Sequence, residues 1–138
     1  MADQSLLMPK YVQAILEDNA EVQTILADDE YRIFPVQQPA ELDFPYIVHN
    51  RLSVSTFYTK DLGMGTGWYN TVQFMVSCVS DDYVQCLELA NACRHALEGY
   101  HWYAEDFHIE PIQFVSAAEY ITDDKAFVQQ LTFQCNFT

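Results

Sequence analysis

Apolar residues recur along this chain at two spacings, and the changes between them mark its elements. Val12, Ile15, Leu16, Val22, Ile25 and Leu26 keep helical spacing, with a flaw at Asn19. Pro9 suits a first helical turn, where the missing N–H has no partner to lose. Asp18 and Asn19 end one helix and cap a second from about Ala20. The start of the chain therefore predicts two short helices, or one bent one, ending in the acidic turn at Asp28. Arg32 to Val36 reads as a short strand, and the following stretch with two prolines as a loop. Tyr46, Val48, Leu52 and Val54 predict the apolar face of a long strand reaching roughly Tyr58. Asn50 interrupts that face and marks a bulge or a sheet edge. Gly63, Gly65 and Gly67, around Met64 and Thr66, form the connection of a long hairpin.

The cleanest strand comes next. Val72, Phe74, Val76 and Cys78 point one way, and Thr71, Gln73, Met75 and Ser77 the other, so one face of the sheet is covered and one is polar. A helix follows at once, with Ser80 or Asp81 as N-cap and with Asp81 and Asp82 where the helix dipole favours negative charge. Its expected apolar stripe is Tyr83, Leu87, Ala90, Cys93 and Leu97, and Gly99 ends it. Beyond an aromatic loop of Tyr100, Trp102 and Tyr103, one strand holds Phe107, Ile109, Ile112 and Phe114, with Pro111 at a bulge or edge. A last strand alternates Leu131, Phe133, Cys135 and Phe137 against Gln130, Thr132, Gln134 and Asn136, after a turn at Thr122-Asp-Asp-Lys. The order α-β-β-β-α-β-β predicts an α+β fold: an antiparallel sheet of about four to five strands with two or three helices packed on one face. Residues 1–138 are expected to form a single domain, because no repeat, low-complexity segment or linker interrupts them.

Composition narrows the function classes. Half of the residues are apolar, which argues against disorder. No apolar run approaches the roughly 18 residues that cross a bilayer, and the N-terminus lacks the basic region of a secretory signal, so a soluble protein made in a cytoplasm, with no membrane role, is expected. Twenty acidic residues face six basic ones, for a net charge of -14. Tight nucleic-acid binding needs clustered cations, and Lys10, Arg32, Arg51, Lys60, Arg94 and Lys125 are scattered. The acids gather at turns, where they keep the surface solvated. Cys78, Cys86, Cys93 and Cys135 show no Cys-x-x-Cys spacing and sit on apolar faces, as reduced buried thiols do.

No constellation makes a convincing catalytic centre, and no cofactor or metal is expected. The glycines at 63, 65 and 67 lack the strand before, helix after and lysine of a phosphate-binding loop. His101, Glu105, Asp106 and His108 match no metal-ligand spacing; with His49 and His95 they read as ordinary surface residues. Ser77 and Ser80 border a strand end without the glycines of a nucleophile elbow. The candidate residues are contact residues instead. Phe57, Tyr58, Met64 and Trp68 read either as an apolar surface by which the hairpin tip meets a neighbouring subunit or partner, or as the surroundings of a merely mobile loop. Thr71 and Gln73, with Ser77, Gln130, Thr132 and Gln134, make polar rows for subunit contacts. Arg51 is a candidate intersubunit bridge.

Leu16 with Val22-x-x-Ile25-Leu26 precedes Arg32-Ile-Phe-Pro, then Phe44-Pro-Tyr-Ile-Val, then Val72-Gln-Phe-Met-Val-Ser ahead of the Asp81-Asp82 helix. Ala96-Leu97-Glu98-Gly99 and the strand from Ala126 to Phe137 complete the succession. In that order, over nearly the whole chain, it resembles the tail-completion, or tail-terminator, proteins of long-tailed bacteriophages and prophages. The resemblance implies a non-enzymatic virion protein at the head-proximal end of the tail, assembled in the host cytoplasm. It implies a homo-oligomeric ring, typically hexameric, that caps the tail tube. It further implies contact with the tail-tube protein and with the head-completion or connector proteins, and a lumen through which DNA passes without specific binding. An acidic lumen would repel the DNA backbone and let it slide. The alternative is a small α+β ligand-binding or regulatory module with Tyr100–Tyr103 as a pocket wall.

Overall fold

Asn19 splits the first helical stretch in two. In the computed structural model, which describes residues 4–26, 32–37, 43–58 and 68–138, α1 spans Met8–Asp18 and α2 spans Ala20–Ile25. Asn19 adopts an extended conformation between them, and its side chain accepts a hydrogen bond from the Val22 amide at 3.0 Å. The local competition of an Asn side chain with the helix backbone thus sets the bend. Pro9 occupies the first turn of α1, after a single 3-10 turn at Ser5–Leu7. The expected end of this region at Asp28 lies outside the described residues.

The strands are β1 (Ile33–Pro35), β2 (Tyr46–Tyr58), β3 (Trp68–Ser80), β4 (Trp102–Tyr103), β5 (His108–Ile109), β6 (Gln113–Ile121) and β7 (Phe127–Phe137), with α3 (Tyr83–Leu97) between β3 and β4. They form one sheet ordered β1-β2-β3-β7-β5-β4, and β6 pairs with β7 beside β5. The fold is α+β as expected, but the sheet has seven strands and is mixed, because β1 runs parallel to β2. One extra strand, β4, forms in the expected aromatic loop, and the other arises where a single strand was expected from Phe107 to Phe114. Pro111 supplies no backbone donor, so pairing stops after Ile109 and resumes at Gln113. The hairpin turn between β6 and β7 closes with the Lys125 amide on the Thr122 carbonyl, at 2.9 Å.

All three helices cover one face. Val72, Phe74, Val76 and Cys78 of β3, with Leu131, Phe133, Cys135 and Phe137 of β7, meet Met8, Val12, Leu16, Cys86, Leu89, Cys93 and Leu97 in a continuous core. Phe74 and Phe133 stack at 5.3 Å at its centre. Each such side chain contributes about 1.5–3 kcal/mol by burial. The side of β2 that enters this core differs from expectation. Ile47 and His49 are buried against the helices, whereas Tyr46 and Val48 face the other way and Leu52 is exposed at a register shift between Arg51 and Ser53. That shift realises the irregularity expected near Asn50, and it puts Val54 back on the core side.

The α3 stripe also shifts. Asp82, one residue later than expected, is the N-cap and accepts from the Val84 amide at 3.0 Å. Cys86, Leu89, Ala90, Ala92, Cys93 and Leu97 are buried, while Tyr83 and Leu87 are exposed. The helix is therefore turned from the expected stripe, so that Cys86 and Leu89 face the sheet where Tyr83 and Leu87 were expected. All four cysteines are buried free thiols, with Cys78 and Cys93 sulfurs 3.7 Å apart.

Candidate assembly surface

The helix-free face of the sheet is built by strand register. Ser55, Thr71 and Asn136 lie in one row; Ser53, Gln73, Gln134 and Gln113 lie in the next. Asn50, Met75, Thr132 and Ser116 follow, then Val48, Ser77, Gln130 and Ala118. Side chains bond across the rows. Thr71 Oγ1 donates to Asn136 Oδ1 at 2.8 Å, Gln73 Nε2 to Gln134 Oε1 at 3.4 Å, and Gln134 Nε2 to Gln113 Oε1 at 3.0 Å. None of these positions is charged, although one residue in seven of the chain is acidic. The carboxylates have been kept off a broad, half-exposed surface.

At one end the same face closes over a small apolar cluster of Tyr46, Val79, Ala126 and Val128, against which Phe34 and Val48 pack. The Phe44 ring stacks on Tyr46 at 5.8 Å, next to the cis Phe44–Pro45 bond. This cluster went unread in the sequence because the alternation of β2 assigned Tyr46 and Val48 to the core.

The expected contact residues divide between surfaces. Thr71 and Gln73 share the uncharged face. Phe57, Tyr58 and Trp68 stand at the far end of the β2–β3 ladder, where Phe57 pairs with Tyr69 and Tyr58 with Trp68, beyond the last β3–β7 pair at Asn70 and Phe137. Met64 lies outside the described residues, as do the three glycines of its loop. Arg51 is not with Thr71 and Gln73. It sits on the helix side, opposite Phe74, and its Nη1 donates to the Leu6 carbonyl at 3.0 Å.

The candidate chemistry resolves into packing. His101 and His108 flank the Tyr103 ring at 5.3 and 5.0 Å. Among the described residues no three His, Cys, Asp or Glu are grouped to hold a metal ion. Tyr100, Trp102 and Tyr103 of the aromatic loop stay exposed, and Trp102 rests edge-on against the body of the fold, 5.6 Å from Tyr11 and 5.7 Å from Phe107. The cavity beside it, lined by Tyr11, Ile15, Ala96 and Tyr100, holds about 240 Å³, below the ~300–1,000 Å³ of small-molecule sites.

His49 corrects the surface-histidine expectation. It is 1% exposed beneath α1, and its Nε2 lies 2.6 Å from Gln13 Oε1. Gln13 Nε2 in turn donates to Glu17 Oε1 and to the Ile33 carbonyl. Burial pushes the imidazole down from 6.5 to about 4, with Glu17 opposing. The alternation read along β2 hid it, because placing Tyr46 and Val48 inward put Ile47 and His49 on the other side. At the opposite edge, Glu119 Oε2 accepts from Tyr83 Oη at 2.9 Å and Gln129 Nε2 at 2.6 Å, and these bonds lower its pKa.

Fold and surface together define an α+β protein whose exposed chemistry is spread over a half-covered sheet. The family model described as Tail completion protein gp17 matches residues 10–136, so the chain belongs to that family and is a structural protein of a phage tail. No curated protein matches the sequence. Among solved structures, a chain of the "Virion of native gene transfer agent (GTA) particle" is similar over 91% of this chain and 90% of that one, with a TM-score of 0.75 and 17% identity. At that identity the likeness shows the fold.

Proposed function

We propose that this protein is the terminator subunit of a phage tail: a homo-oligomeric ring, most simply a hexamer, at the head-proximal end of the tail. The ring caps the tail-tube protein and offers its other side to the head connector, and it forms in the host cytoplasm before joining the virion. The observation that carries this reading is the uncharged sheet face. Copies of a chain with net charge -14 repel one another, so they associate best where no carboxylates must be desolvated. The rows holding Thr71, Gln73, Gln130, Thr132 and Gln134 meet that condition. The ladder end at Phe57, Tyr58 and Trp68 is the second contact surface, with Met64 assigned to it by sequence. With six basic residues per subunit, the ring has no dense cation row to grip DNA, which passes through the lumen without specific binding.

Native mass spectrometry and electron microscopy test this directly. The expected result is a closed ring with a central channel, in solution or on the ends of purified tail tubes. A protein that stays monomeric in both settings overturns the reading.

A further inference from the structure

Among the described residues, both lateral edges of the sheet are open over nine residues. β6 pairs with β7 on one side and, among the described residues, with nothing on the other. β2 is covered by β1 only at Ile47–His49, so residues 50–58 have no described strand on their outer side. Soluble proteins blunt such edges with charges and prolines because unpaired N–H and C=O groups recruit other strands. Here each edge carries one charge, and the two are opposite: Glu119 in β6 and Arg51 in β2.

The two charges lie on the same side of the sheet, on rows four residues apart, so that a neighbour staggered by four residues brings them together. Register puts Glu119 on the row of Gln129, Cys78 and Ile47, and Arg51 on the row of Phe74, Phe133 and Phe114; both are on the helix side of the sheet. The Glu119 carboxylate is held by two bonds that both end on Oε2, leaving Oε1 with no partner among the described residues. Arg51 is exposed, spends one N–H on a carbonyl, and has no carboxylate partner among the described residues. Within the sheet β6 runs antiparallel to β2, since β2–β3, β3–β7 and β7–β6 are each antiparallel. A neighbour placed side by side therefore presents its β2 edge antiparallel to β6. Two different edges meeting in this way form a head-to-tail contact, the kind that closes rings.

We infer that β6 of one copy adds to the outer edge of β2 in the next, with Glu119 Oε1 receiving the neighbour's Arg51. This rests on the ring reading above and adds to its uncharged face an edge-to-edge seam, where the one carboxylate is met by a cation. The test uses the full chain. Glu119→Gln keeps an oxygen for Tyr83 and Gln129 but removes the charge, and Arg51→Gln does the same from the other side; each raises the concentration at half-assembly by at least about tenfold, as close interfacial charge pairs do. Glu119→Arg and Arg51→Glu abolish rings singly, and combined they restore assembly. Amide exchange over residues 113–121 slows on assembly. Thermal melts of each monomer confirm folding. Rings that tolerate both single reversals, a combined reversal that recovers nothing, or unchanged exchange in β6 overturn the seam while leaving the ring in place. A wild-type chain that never assembles overturns both.

Discussion

His49 shows most clearly how one side chain senses its surroundings. Burial holds it neutral at about 4, against 6.5 when exposed. Below pH 6.5 the unfolded chain binds a proton that the native state refuses, so stability falls as pH drops from 6.5 towards 4 and is flat above. Between pH 7 and pH 5 the loss is about 2 kcal/mol. Glu98 and Glu119 have carboxyls lowered from 4.5 by hydrogen bonds, from Arg94 and from Gln129 respectively, so their contributions are lost only as pH falls below about that value. The window from 7 to 5 therefore isolates the histidine. Urea unfolding of the wild type is expected to show that drop, and His49→Gln to flatten it. The thiols add nothing in this range, since burial raises Cys86 to about 11 and Cys135 to about 12.

α3 shows what local rules determine at the scale of an element. Its ends were legible to within a residue, because an aspartate cap and a left-handed glycine are backbone requirements that sequence states directly. Asp82→Ala removes the acceptor for Val84 and is expected to cost about 1 kcal/mol in chemical denaturation. Gly99 has φ +82, and a Cβ there would touch nothing within 4 Å, so Gly99→Ala pays only backbone strain, about 1–2 kcal/mol. A larger loss would mean that the loop to β4 has moved as well. The buried stripe was less legible than the ends. Periodicity located a face, but only the rotational setting of α3 against β3 and β7 decided that Cys86 and Leu89 enter while Leu87 stays out. β2 repeats the point, since residues of similar hydropathy lie on both its sides and the partner elements chose Ile47 over Val48.

Across the whole molecule, charge is the dominant long-range quantity. Fourteen net negative charges per subunit oppose association, and salt screens them over a Debye length of about 10 Å at 0.1 M. Ring formation is therefore expected to strengthen as ionic strength rises from about 0.01 to 0.15 M. Analytical ultracentrifugation across that range checks it. Weakening with salt would mean that seam pairs such as Glu119 and Arg51 outweigh the general repulsion.

The sequence by itself determined the interruption of the first helical stretch at Asn19, the cap and stop of α3 to within a residue, the central strands with one polar side, and the collinear order by which the family resemblance was recognised. These features depend on residues near one another in the chain, where backbone propensity and alternation act. Tertiary structure alone decided the parallel placement of β1, the pairing of Trp102–Tyr103 with β5, the burial of His49, and the separation of Arg51 from Thr71 and Gln73. Each depends on which distant segment lies alongside, and a pattern read along one strand carries no record of its neighbour.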